Sequence, residues 1–322
     1  MKAAVIYENG GPDVLRYEDV PDPECFDGCV VVEVEAISIE GGDLLARALS
    51  PPPATPHIVG YLCAGTVAEV GAGVDSSVLG EKVVALNANG SHAEKRVVPA
   101  AMTWAIPEGL DPAVAACIPV ALGTAHECLF TAANLERGQT VLIHAGAGGV
   151  GMAAIQMAAQ ASATVIATAS SDEKLERLKS FGLDHGINYA GESFVERVSE
   201  LTDGRGVDVV LDSVGGKNLV DSIEALAYRG KLVSVGVAGR AGSDVEAKAL
   251  WGKNNTLRGV FLGGALLSEH PRVHGMIAEL IERVAGGELK VEIDRSLPLA
   301  EAAEAHAYLE GRNAFGRVVL KP

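Results

Sequence analysis

Gly146, Gly148 and Gly151 stand in the stretch VLIHAGAGGVGMAAIQMAAQ, between a short apolar run and a helical pattern of small residues. A strand that stops at G-x-G-x-x-G and continues as a helix has the build of a pyrophosphate cradle. The first glycine permits the tight turn, the second lets backbone approach the phosphates, and the third lets helix and strand pack closely. The helix start, Gly149 and Val150, then offers unpaired N–H groups and a partial positive charge to the anion. Gly146, Gly148, Gly149 and Val150 are the first candidate dinucleotide contacts.

The next strand ends at ATASSDEK. An NAD-binding unit usually carries an acid near this point, about 20 residues on, to bond the adenosine ribose hydroxyls. Ala169 occupies the place instead; Ser170 and Ser171 follow, and Lys174 lies one turn into the next helix. Two hydroxyls and an ammonium suit a ribose that carries an extra phosphate, so the spacing predicts NADP(H), with Ser170 and Lys174 as contacts. The alternative is that Ser171 only caps the helix and Lys174 is a solvated helix residue. Asp172 and Glu173 read as helix-start acids facing away from the site.

These residues need a scaffold of alternating strands and helices. From about residue 120 the chain reads TVLIHAG, a helix from Val150, ATVIATA, SDEKLERLKSFG, DHGINY, GESFVERVSELTDG, VDVVLDSVG, NLVDSIEALAYRG, KLVSVGV and TLRGVFLGG. Strand and helix alternate, which predicts a doubly wound α/β fold with a parallel sheet. Residues 1 to 115 are instead β-rich, with valine-laden runs such as VVVEVEAIS and AGTVAEVG separated by Pro and Gly clusters. After a helix at HGMIAELIERVAGGEL, the closing segment LPLAEAAEAHAYLEGRNAFGRVVLKP predicts a helix and a last strand that completes the first domain. The expected division is a β-rich domain of 1–122 and 263–322, with a Rossmann dinucleotide-binding domain of 123–262 inserted.

The 322 residues carry a formal net charge of −16, spread along the chain, with 48% hydrophobic residues. An acidic surface argues against nucleic acid or anionic membrane as partners. No apolar run approaches the ~20 residues of a membrane-spanning helix. The opening MKAAVIYENGG lacks a signal-peptide pattern, so the expected location is cytoplasmic. Five cysteines, with no C-x-x-C pair, predict reduced thiols.

Taken together, the motifs resemble the medium-chain dehydrogenase/reductase superfamily in its quinone-oxidoreductase branch, over essentially the whole chain. The likeness is carried by MKAAVIYENGGPDVLRYEDVPDP, PHIVGYLCAGTVAEVGAGV, AGAGGVGMAAIQMA, LDHGINY, DVVLDSVGG and AHAYLEGRNAFGRVVL. The resemblance implies a GroES-like β-rich catalytic domain beside the Rossmann domain, and a homodimer whose sheets join at TLRGVFL. By motif it adds Thr124, Tyr189, Ser213, Val214, Gly236, Val237, Phe261 and Gly263 to the cofactor contacts. The positions that hold zinc ligands in zinc-dependent relatives are here Glu40, Tyr61 and Val120, which cannot supply the usual N/S ligands. The cysteine-rich structural-zinc lobe is absent as well. The expectation is therefore an enzyme without metal.

Without a Lewis acid, hydride transfer from NADPH still serves acceptors that are already electrophilic: a quinone or an α,β-unsaturated carbonyl, an enone or enal. Such substrates need alignment and a hydrogen-bond donor at the developing oxyanion. Glu40 and Tyr61 are the catalytic candidates. Glu40 stands where the resemblance places an Asn; buried, it becomes a proton carrier, and solvated, an ordinary loop carboxylate. Tyr61 either donates its phenolic proton to a substrate oxygen or packs as an aromatic side chain. His126 and His144 read as packing residues, His270 and His274 as surface residues separated by Pro271, and Asp43 with Arg47 as a structural pair. A metal-free carbonyl reductase, or a catalytically silent NADPH-binding or sensor protein, is the alternative to a quinone or enone reductase.

Overall fold

Alternation drives the first half of the chain. In the strand Cys29–Ser38, Val30, Val32 and Val34 are buried while Glu33 and Glu35 face outward, the period of two that a sheet with one apolar face requires. The computed structural model describes residues 1–240, 242 and 244–322. It divides into two units, one of Met1–Val120 with His274–Pro322 and one of Ala121–Val273.

In the first unit, Cys29–Ser38 pairs antiparallel with Leu62–Val70, with Lys95–Pro99 and with the terminal strand Arg317–Lys321. The last pairing, Val319 opposite Ser38 and Leu320 opposite Ile37, ties the end of the chain into the sheet begun near its start. Val30, Val32, Ile37, Val83, Leu299, Val318 and Leu320 share one buried core. The helix Gly41–Leu49 begins directly after the central strand, and Asp43 in its first turn accepts from the Glu40 N–H at 2.8 Å.

In the second unit, six strands form one parallel sheet: β1 (Thr140–Ile143), β2 (Thr164–Ala169), β3 (His185–Asn188), β4 (Val207–Asp212), β5 (Leu226–Ser234) and β6 (Thr256–Gly259). Their order in space is β3-β2-β1-β4-β5-β6. Helices α1 (Gly149–Gln160), α2 (Asp172–Leu178), α3 (Phe194–Leu201) and α4 (Lys217–Ala225) follow β1 to β4, and α5 (Leu262–Ser268) follows β6. β1 and β4 are adjacent, so chain order reverses between them. Open α/β sheets bind ligands at such a switch point, outside the carboxyl ends of the strands. The fold is the α/β architecture expected, with a Rossmann sheet and a β-rich, GroES-like partner.

Three local readings are corrected. The helix expected through NLVDSIEALAYRG ends at Ala225, and AYRG belongs to β5: Leu226 already pairs with Val207, the pairing resumes at Lys231 with Val209, and Asn255 holds the Ala227 and Gly230 carbonyls of the irregular stretch between. The strand expected through TLRGVFLGG stops at Gly259, and Leu262 already opens α5. Pro271 does not interrupt a helix: it sits in the first turn of His270–Ala285, where its missing N–H costs nothing. His274 is accordingly no surface residue, but stacks on Trp104 with ring centroids 4.6 Å apart and meets the Thr103 carbonyl at 3.0 Å. Among the described residues, no helix is long and apolar enough to cross a membrane.

Candidate active site

Because the six strands are parallel, every turn that follows a strand lies along the same edge of the sheet. The turn after β1 begins with Ala145 at φ 52°, and Gly146 donates to the Thr168 carbonyl at 2.8 Å. A Cβ on Gly146 would stand 3.0 Å from the Ala167 Cβ, and one on Gly151 would stand 2.4 Å from the Ala145 carbonyl oxygen. Gly151 therefore tolerates no side chain, and one on Gly146 would have to displace Ala167, Leu178 and Ile155. Gly148 is the N-cap of α1 and has no side chain to satisfy the first N–H groups, those of Gly149 and Val150 among them. Those groups are left for a ligand anion.

At the end of β2, Ala169 is buried and Ser170 half-buried. Ser171 caps α2, its hydroxyl accepting from the Lys174 N–H at 3.3 Å. Lys174 is half-buried in the first turn of the helix. The Asp172 carboxylate accepts from Asn188 Nδ2 at 3.0 Å, which commits it to the end of β3. Tyr189 follows that strand, 44% exposed, and its N–H donates to the Ala169 carbonyl at 3.2 Å. Ser170, Lys174 and Tyr189 thus share one corner of the edge.

After β4, Ser213 and Val214 are half-buried in a turn organised by Asp212. The buried Asp212 carboxylate accepts from the N–H groups of Val214 at 2.7 Å and Gly215 at 3.2 Å, and from Asn218 Nδ2 at 3.1 Å. Burial pushes its carboxyl up in pKa, against the pull of those donors. The loop after β5, with Gly236 and Val237, is stitched to this turn: Ala238 and Gly239 donate to the carbonyls of Ser213 and Val214 at 3.0 and 2.8 Å. Phe261 is 78% exposed at the N-cap of α5, and a Cβ on Gly263 would lie 2.9 Å from its ring. Of the cofactor candidates, Thr124 belongs to no turn after a strand and is buried in the helix Pro119–His126.

The two catalytic candidates are brought together in the first unit. Asp43 bridges them, accepting from the Glu40 N–H on Oδ2 and from the Tyr61 N–H on Oδ1 at 3.1 Å. Burial pushes the Asp43 carboxyl up to about 8. Glu40 is itself buried, ion-paired to Arg317 and accepting from the Ser38 hydroxyl at 3.0 Å; burial raises its pKa while Arg317 opposes the rise. It is no solvated loop acid. Tyr61 is half-buried, and a Cβ on Gly42 would strike its ring at 2.4 Å, so the phenol lies across the first turn of Gly41–Leu49. Burial, then the charges of Asp43 and Glu40, raise the phenol pKa and keep the hydroxyl a proton donor. Among the described residues, that hydroxyl makes no hydrogen bond.

Two cations that sequence reasoning passed over hold this arrangement. Arg317, inside FGRVVL, reaches Ser38, Ile39 and Glu40. Arg96 is buried and donates to the carbonyls of Tyr61 at 2.7 Å and Asn89 at 2.6 Å. Arg317 had no signal in local spacing, since its partners lie 277 to 279 residues away, and Arg96 bonds backbone carbonyls, which any residue supplies. The expected Asp43–Arg47 pair gives way to separate commitments: Arg47 reaches the Gly10 carbonyl at 2.5 Å, His306 Nδ1 at 3.3 Å and the Glu310 carboxylate. The positions of zinc ligands in relatives do not form a ligand set here. Val120 has no donor atom, and Glu40 is committed to Arg317.

A Rossmann sheet with an open phosphate turn, joined in one chain to a GroES-like unit, defines a two-domain dinucleotide-dependent oxidoreductase. The chain belongs to the medium-chain dehydrogenase/reductase superfamily, in its quinone-oxidoreductase-like branch. Residues 27–108 match the family model of the alcohol dehydrogenase GroES-like domain, and residues 149–282 that of the zinc-binding dehydrogenases. The chain is 34% identical to a 2-haloacrylate reductase of a Burkholderia species, over 99% of this chain and 98% of that one. It is 34% identical to a quinone oxidoreductase of Pseudomonas aeruginosa, over 97% of each. Its fold matches Escherichia coli quinone oxidoreductase complexed with NADPH at a TM-score of 0.95, with 30% identity and all of both chains covered.

Proposed function

We propose that the protein is an NADPH-dependent reductase that delivers hydride, without zinc, to a quinone or to a conjugated C=C bond beside a carbonyl. The observation that carries the reading is the corner at β2, where buried Ala169 replaces the ribose-binding acid and Ser170, Lys174 and Tyr189 stand together. A 2′-phosphate there meets hydroxyl groups and an ammonium, and Asp172 is held by Asn188. The relatives named for NADPH and for quinone support it, and the 2-haloacrylate reductase widens the acceptor class to electron-poor alkenes.

In this reading Gly146, Gly148, Gly149 and Val150 hold the pyrophosphate. Ser213, Val214, Gly236, Val237, Phe261 and Gly263 run toward the nicotinamide end, and Thr124 supports it. The bound dinucleotide supplies the hydride. Tyr61 offers its proton to the acceptor oxygen on which charge develops, a role its raised pKa suits. Glu40, ion-paired and buried, keeps the helix start and Arg317 in register, and so acts as a positioning residue for Tyr61 through Asp43. The 123–262 segment, with Gly263 just past its end, binds the dinucleotide. We further propose a cytoplasmic protein with five reduced thiols, and a homodimer that pairs edge strand β6 with its counterpart.

The test is NADPH oxidation under nitrogen with a panel of benzoquinones, enones, enals and 2-haloacrylates, run beside NADH and beside simple ketones. Turnover of the conjugated acceptors with NADPH supports the reading. Turnover of simple ketones alone makes the protein a carbonyl reductase, and NADPH binding without turnover of any acceptor makes it a binding protein.

A further inference from the structure

We infer that His144 is a positioning residue for the dinucleotide: through a directed chain of hydrogen bonds it couples the turn after β1 to the turn after β4, the two lips of the switch point. The inference rests on the reading that this edge binds NADP(H).

Every proton in the chain can be assigned. Ser222 donates its hydroxyl proton to the Asn218 carbonyl at 2.7 Å. It must therefore accept from His144 Nε2, 3.0 Å away, which places a proton on that nitrogen. His144 is buried, and burial pushes its pKa down to about 3, so the ring is neutral and Nδ1 is bare. Nδ1 then accepts from the Thr168 hydroxyl at 3.1 Å. The Thr168 oxygen in turn accepts from the Ala145 N–H at 3.3 Å, at the residue that enters the glycine turn with φ 52°. At the other end, Asn218 uses its side chain on Asp212, whose carboxylate also holds the Val214 and Gly215 N–H groups.

One ring thus links the two lips. Phe194 meets that ring edge-on, with centroids 4.7 Å apart, and His144, Thr168, Ser222 and Asp212 are each 2% exposed or less. Water has no access to replace a missing partner, so loss of one link leaves a buried group unsatisfied and frees the turn it held. The packing role expected of His144 is real, yet an aromatic hydrocarbon would fill the same space without fixing either turn.

The test uses the full chain with Thr168→Val, Thr168→Ser, Ser222→Ala and the Thr168→Val/Ser222→Ala double variant. Two probes report by equilibrium titration. NADPH spans both lips, and adenosine 2′-monophosphate reaches only the Ser170, Lys174 and Tyr189 corner. Thr168→Val and Ser222→Ala are each expected to weaken NADPH about fivefold, with the double variant falling short of the product of the two. Thr168→Ser, which restores the hydroxyl, is expected to return the affinity, and the 2′-monophosphate affinity is expected to stay at the wild-type value throughout. Losses that multiply fully, equal losses for both probes, or unchanged NADPH affinity would each overturn the inference. Failure of the wild-type chain to bind NADPH would instead overturn the reading beneath it.

Discussion

Arg317 and Glu40 lie 277 residues apart in the chain and form a buried ion pair. The terminal strand brings the guanidinium to the start of the helix that Asp43 and Tyr61 share. Removing one partner strands the other charge in the interior, which costs about 3–5 kcal/mol. Arg317→Met is therefore expected to lower the urea midpoint strongly, and the Arg317→Met/Glu40→Gln double variant to regain part of the loss. Equal midpoints for wild type and Arg317→Met would show that the pair holds nothing.

Tyr61→Phe tests the proposed proton donor directly. The ring packing on Gly42 survives, and only the hydroxyl goes. Expected is a fall in kcat of about a hundredfold with KM for NADPH unchanged. A variant as fast as wild type at saturating acceptor would remove Tyr61 from the chemistry.

The proposed coenzyme choice rests on Lys174. A charge-assisted hydrogen bond to a phosphate contributes about 1.5–3 kcal/mol, so Lys174→Ala should cost NADPH roughly tenfold to a hundredfold in kcat/KM and leave NADH nearly untouched. Parallel losses for both coenzymes would place the extra phosphate elsewhere or nowhere.

Burial pushes His92 and His144 down to about 3, from an ordinary 6.5. Each is neutral when folded and takes a proton when unfolded. Their stabilising effect is thus complete above pH 6.5 and is lost as the pH falls toward 3, at about 1.4 kcal/mol per pH unit for each ring. Asp43, raised to about 8, works the other way, favouring the fold as pH falls from 8 toward 4. His92→Gln removes one titrating ring, so the slope of unfolding free energy between pH 6 and 4 should flatten by one such increment relative to wild type. Parallel slopes for the two proteins would contradict the assignment.

Zinc-free hydride transfer makes a simple demand. Prolonged dialysis against a strong chelator, with metal analysis before and after, should leave turnover of a conjugated acceptor unchanged. Activity that falls with the metal content and returns with added zinc would reverse that part of the reading.

The parallel α/β half, the glycine turn and the missing ribose acid were all legible in the residues, because each depends on neighbours within about one strand-turn-helix unit. Gly151 is demanded by backbone a few residues away, Gly146 by side chains of the same strand-turn-helix neighbourhood, and Ala169 marks its strand end whatever surrounds it. The limits of that reading show at AYRG, which continues a helical pattern locally but is carried into β5 between Leu226 and Lys231, the residues that pair with β4, with its carbonyls held by Asn255. They show again at Glu40, whose two readings differ only in burial. Tertiary structure decided that question by delivering Arg317 from the far end of the chain. It also set the His144 protons, through Thr168 and Ser222, residues 24 and 78 positions away in the sequence. Local geometry is written in adjacent residues. Desolvation and long-range charge pairing exist only once distant segments have packed, and they determine which groups carry protons.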